Sequence, residues 1–232
     1  MVASDDRVKA ALLALVAPDH ARRELLVSVR GTVDRLVVDW VADLELWQEP
    51  FELSTEYGRP LVHAGFLSAW VQLRAGVLAA LRAARRDWPG YRVMITGHSL
   101  GGSVAALMAA ELAASGELRQ ADSRLYTFGQ PRTGGADWAR AYATLVPQTQ
   151  RVVHDRDLVP HYPFRTDFWD GKRYDYEHPT PEVWLSENSS VRAVKCHGGE
   201  DPRCADSVPL LRWSGADHTS YFAPLNAGSC AA

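Results

Sequence analysis

The apolar positions of this chain change period several times, and each change predicts an element. Val8, Leu12, Leu15 and Val16 recur at helical spacing, so Ala10 to Ala17 predicts a short amphipathic helix. The same run is long enough to imitate the apolar part of a signal peptide. Asp5 and Asp6 before it, and Pro18 where a small-residue cleavage site belongs, argue against that reading. Glu24 to Arg30 (ELLVSVR) is dense in Leu and Val, as in a mostly buried strand, and Gly31-Thr32 ends it. Phe66, Trp70, Leu73, Val77 and Leu81 then return at helical spacing and predict a long helix from Gly65 to about Arg86. Their Trp and Leu stripe is read as core packing, with no cofactor role. Tyr91 to Thr96 predicts the next strand, and Gly102 to Ala114 a small-residue helix. Leu125 to Phe128 and Arg151 to His154 predict two more strands, with a helix around Gly135 to Leu145 between them. Alternating strands and helices imply an α/β fold, with a parallel sheet covered on both faces.

Composition narrows this picture without changing it. A chain of 232 residues suits one domain, and 47% hydrophobic with 23% charged residues allows a sizeable core. The net charge of −3 gives no footprint for nucleic acid, and no apolar run approaches the roughly 20 residues of a membrane span. Three cysteines are present: Cys196 and Cys204, flanking a polar loop, and Cys230. A CxxC pair or spaced His set for zinc is absent from the sequence, so no metal is expected. Two free thiols or one local disulfide at Cys196 and Cys204 both remain open.

The chemistry concentrates at Gly97-His98-Ser99-Leu100-Gly101, a G-x-S-x-G pattern. A serine hydroxyl becomes a useful nucleophile only when exposed, aimed and next to a base. Here the pattern lies between a predicted strand and a predicted helix, the context in which a strained turn lifts the serine above a sheet. Chain order then calls for an acid and a later histidine. Asp155 and Asp157 both follow the strand ending near His154, and spacing does not separate them. His154, His161, His178, His197 and His218 all lie downstream. His218, in a loop beyond the last strand signals, is the favoured base, and the others read as surface or satisfied structural groups.

At this point the residues resemble a family. VSVRGT, DWVADL, HAGF, VMITGHSLGGSVAAL, TFGQPRTG, VVHDRDLVPHYP, HPTPEVW and DHTSYF occur in the order seen in fungal-type, class 3 triacylglycerol lipases, from about Leu26 to Phe222. The resemblance implies an α/β-hydrolase fold and a Ser99, Asp157, His218 triad, which resolves the choice of acid. It implies an oxyanion hole from the backbone N–H of Leu100 and from Thr32, whose plain alternative is a strand-end turn residue. No cofactor is implied, because this chemistry needs none.

In this family the segment after the oxyanion residue is a lid. Here Leu36, Val37, Val38 and Trp40 give it an apolar face, with permanent core packing as the equal alternative. Many members carry a local disulfide where Cys196 and Cys204 fall, and a partner for Cys230 is expected from an N-terminal segment. Only some 25 residues precede VSVRGT, so Met1 is read as internal to a longer, secreted protein whose hydrolase domain occupies 1–232. Asn188-Ser189-Ser190 is a glycosylation sequon compatible with an extracellular location. Three functions follow: a lipase acting at a lipid–water interface, a feruloyl-type esterase on the same scaffold, or an inactive hydrolase that only binds. The apolar lid face favours the first.

Overall fold

In the computed structural model, residues 12–31, 46–54, 56–165, 175–179, 181–186 and 193–221 are described. The first strand is where the sequence expectation fails. Ala14–Asp19 is not helical but a strand, β1, running antiparallel to β2 (Glu24–Val29). Leu13 and Leu15 point outward while Leu12, Ala14 and Val16 pack against the core, a period of two. The run is apolar on every side, so it fits a helical face as well as a pleat, and pairing with β2 decides the matter. Pro18 is tolerated because β1 is a sheet edge.

The other predicted elements form near their expected limits. A short hairpin pairs β3 (Gln48–Pro50) with β4 (Leu61–His63), and β4 leads directly into α1 (Ala64–Asp87). Then come β5 (Arg92–His98), α2 (Leu100–Ala114), β6 (Ser123–Phe128), α3 (Ala136–Leu145) and β7 (Thr149–His154). β8 (Glu182–Leu185), β9 (Ala193–Lys195) and the single turn α4 (Gly215–His218) complete the order. The sheet runs β1-β2-β5-β6-β7-β8-β9, parallel from β2 to β8 and antiparallel at both edges.

Helix α2 explains how the core is filled. Every residue from Gly101 to Ala110 is buried, so α2 has no solvent face, as expected of a helix apolar all round. It packs between the sheet and α1, with α3 beside it. α1 is long and apolar enough by length and composition to cross a membrane. It buries one face against the core: Phe66, Trp70, Val77 and Leu81 face inward, while Arg74 and Arg82 pair with Glu111 of α2 and with Glu117 just beyond it.

Cys196 and Cys204 form a disulfide closing a separation of eight residues. In the chain-entropy view such a loop contributes about 2.5 kcal/mol. Replacing both cysteines by alanine should lower the unfolding free energy in urea by about that amount, and an unchanged unfolding curve would show that the bridge does not constrain the unfolded chain.

Candidate active site

β5 ends at His98 and α2 begins at Leu100, so Ser99 alone makes the turn between them. It does so with φ 57° and ψ −132°, a conformation that residues with side chains rarely adopt. Close backbone approach on either side holds it there. A Cβ on Gly97 would lie 2.2 Å from the Gly101 carbonyl oxygen, and one on Gly101 would lie 2.3 Å from the carbonyl oxygen of Val29 in β2. The Ser99 N–H donates to the Phe128 carbonyl at 2.9 Å, which ties the turn to the end of β6. The hydroxyl is thereby placed at the positive end of a 15-residue helix.

The acid and the imidazole arrive from β7 and α4. The Ser214 N–H donates to the Arg156 carbonyl at 2.8 Å, and Leu158 N–H donates to the Ser214 carbonyl at 3.4 Å. Ser214 Oγ also accepts from the Asp217 N–H at 3.2 Å, capping α4. This stitching sets His218 Nδ1 at 3.0 and 2.9 Å from the two oxygens of Asp157, with both side chains fully buried. Tyr221 donates its hydroxyl proton to Asp157 Oδ2 at 2.6 Å, and Val159 N–H donates to Oδ1 at 2.9 Å. A buried carboxylate needs such partners, and here it has them on both oxygens. Burial, and then the charge of Asp157, pushes the Tyr221 hydroxyl well above its usual range, so it remains a donor. Gly129, with φ 57°, makes room for the pair: a Cβ there would lie 2.7 Å from His218 Cε1 and 2.8 Å from Asp157 Oδ2.

The His218 ring packs against His98, the neighbour of Ser99, with centroids 4.4 Å apart. Ser99 Oγ and His218 Nε2 are both buried, and neither has a hydrogen-bond partner among the described residues. An imidazole steadied by a carboxylate at Nδ1 offers its other nitrogen as a proton acceptor, and a hydroxyl without a partner is a proton source.

Of the two acids that spacing left open, Asp157 is the one against His218, whereas Asp155 pairs with Arg156. Leu100 is the first residue of α2, where N–H groups have no intrahelical acceptor. Thr32, the candidate lid residues Leu36, Val37, Val38 and Trp40, Cys230 and the Asn188 sequon lie outside the described residues. Sequence reasoning missed Tyr221 and Ser214, and it set His154 aside. Among the described residues, one group has metal-ligand proximity: Glu182 with Cys196 and Cys204, whose sulfurs are joined in the disulfide.

The parallel sheet, the strained serine turn at the end of β5 and the acid and histidine delivered after later strands define an α/β-hydrolase fold. Residues 26–167 match the model of the family described as Lipase (class 3). The chain is 36% identical over 202 residues to the secreted mono- and diacylglycerol lipase 1 of Fusarium solani, covering 84% of this chain and 56% of that protein. The solved structure of Rhizomucor miehei triacylglyceride lipase superposes with a TM-score of 0.80 at 30% identity, covering 95% of this chain and 78% of the other. A further solved structure, of a triacylglycerol lipase whose catalytic centre is described as a serine protease triad, gives a TM-score of 0.79 at 30% identity, with 91% and 76% covered. The chain belongs to the class 3 lipase family. It spans about half the length of the curated relatives it matches.

Three histidines around the site titrate abnormally. Burial, and next the proximity of His218, pushes His98 down to about 4. Burial and then Arg132 push His161 down to about 4, and burial and then Arg151 hold His178 well below 6.5. Well above pH 6.5 all three are neutral whether the chain is folded or not. Below it the unfolded chain takes up protons that the folded chain refuses, so stability is lost as the pH falls toward 4. Calorimetry should therefore show a melting temperature that declines from pH 6.5 to 4, with roughly two to three protons taken up on unfolding at about pH 5. A melting temperature that stays level over this range would contradict the burial of these rings.

Proposed function

We propose that this protein is a carboxylic ester hydrolase acting on acylglycerols through Ser99, Asp157 and His218. One observation carries the reading: a serine hydroxyl and an imidazole nitrogen at one end of the sheet are both buried with no partner among the described residues, and the imidazole is braced by a buried carboxylate. Ser99 Oγ attacks the ester carbonyl carbon while His218 Nε2 takes its proton. Asp157 holds the ring through Nδ1–H and stabilises the imidazolium that forms. The carbonyl oxygen becomes an oxyanion that accepts hydrogen bonds from the Leu100 N–H and from Thr32. Collapse breaks the bond to the alcohol, which leaves with the proton from His218, and water then hydrolyses the acyl-enzyme by the same transfers in reverse.

Support for Thr32 comes from its neighbour. A Cβ on Gly31 would lie 2.6 Å from the His98 carbonyl oxygen and 3.3 Å from Ser99 Cβ, so the chain leading to Thr32 touches the serine turn. Two relatives acting on acylglycerols support a lipid substrate. So do Leu210 and Leu211, adjacent apolar residues 48% and 98% exposed just before the turn that carries His218. These side chains suit contact with a lipid–water interface, with Leu36, Val37, Val38 and Trp40 as the covering lid. An extracellular location fits the buried disulfide and the secreted Fusarium relative.

Turnover of tributyrin, triolein and a feruloyl ester by the native protein and by Ser99→Ala tests both parts. The native protein should prefer the acylglycerols, and Ser99→Ala should lose turnover on the order of 10⁵–10⁶-fold. Activity retained by the Ala variant would refute the nucleophile, and preference for the feruloyl ester would refute the substrate class.

A further inference from the structure

We propose that His98 and His154, the last residues of β5 and β7, are positioning residues that clamp the base-bearing turn by its backbone. This inference rests on the reading of Ser99, Asp157 and His218 as a hydrolytic triad. His218 sits on α4, a helix of only four residues, too short to hold itself in place. Carbonyls at the end of a helix are poorly supplied with intrahelical donors: that of Asp217 accepts the Thr219 N–H of the cap and a long bond from the Ser220 N–H at 3.5 Å. Two imidazoles meet two of them in succession. His98 Nε2 lies 2.8 Å from the His218 carbonyl oxygen, and His154 Nδ1 lies 3.1 Å from that of Asp217.

A carbonyl only accepts, so His98 carries its proton on Nε2 and His154 carries its proton on Nδ1. The two rings therefore act as fixed N–H donors at the ends of two strands of the central sheet, on either side of β6. Other contacts at these residues reach the triad as well. The His98 ring packs on the His218 ring, and the backbone N–H of His154 donates to the Tyr221 hydroxyl at 3.1 Å, which in turn donates to Asp157. Burial keeps His98 neutral over the working range, so no second cation faces the imidazolium formed on His218 during attack. The ordinary alternative is that both histidines merely fill space behind α4. That alternative does not require an N–H at either carbonyl.

The test separates donor from filler. His98→Gln and His154→Asn each place an amide N–H near the position of the native donor nitrogen, whereas His98→Leu and His154→Leu fill the volume without a donor. On a soluble p-nitrophenyl ester, each Leu variant should lose about tenfold in kcat, the effect of one hydrogen bond, with KM unchanged. The double Leu variant should lose on the order of 10²-fold, as expected when a base is slightly misplaced. The Gln and Asn variants should recover most of the loss. In the native protein, nitrogen-15 spectra should show the Nε2–H tautomer for His98 and the Nδ1–H tautomer for His154. Leu variants with native kcat, amide variants as impaired as the Leu variants, or the opposite tautomers would overturn the clamp in an active enzyme. A native protein without turnover and unreactive toward a fluorophosphonate would overturn the triad reading itself, and the clamp with it.

Discussion

The site depends on backbone touching backbone where β5 turns into α2. Three segments meet within a few ångströms: the end of β2 at Val29, the end of β5 at Gly97, and the first turn of α2 at Gly101. No side chain fits between them, so the turn between Gly97 and Gly101 is sharp and Ser99 takes up the strain at positive φ. Strain of this kind costs of order 1–3 kcal/mol and persists only where the surroundings determine it fully. Here the surroundings are the interior of the central sheet and a helix with no solvent face. The burial of α2 from Gly101 to Ala110 thus serves the Ser99 turn as well as the packing of the core.

Polar groups behind the turn follow the same logic of complete restraint. Asp157 is buried and yet bonded on both oxygens, so its charge is compensated by His218, Tyr221 and a backbone N–H. A second buried network supports the loop beyond it. Arg132 binds Glu200 through two nitrogens, and its backbone N–H donates to the Tyr162 carbonyl at 2.7 Å. Burial alone would raise the Glu200 carboxyl, but the Arg132 guanidinium outweighs it and holds that group below its usual range. Glu200 lies in the loop closed by the Cys196–Cys204 disulfide. The staple, the ion pair and the acid-bearing loop therefore form one continuous support.

Much of this was legible in the sequence, and the gaps have physical causes. The long helix and the strands at β2, β5, β6 and β7 were readable because one face of each must be apolar to pack. β1 was misread as a helix because a short run that is apolar all round carries no period. β3, β4, β8 and β9 passed unnoticed, being three or four residues long, and Gln48-Glu49-Pro50 carries no β-branched or aromatic residue at all. Ser99 stood out because the glycines around it are demanded by backbone contact. Asp157 could not be separated from Asp155 by spacing, since the distinction lies in which carboxylate faces His218 across the fold. Tyr221, Ser214, His98 and His154 left no signal, because their contacts exist only where strand ends and α4 converge.

The central claim is that the residue held in this strained turn is the one that reacts. Mass mapping of the adduct left by a fluorophosphonate on the native protein tests it most directly. The account predicts a single phosphonyl group, located on Ser99. A protein that turns over esters but carries the group on another residue, with Ser99 unmodified, would contradict it.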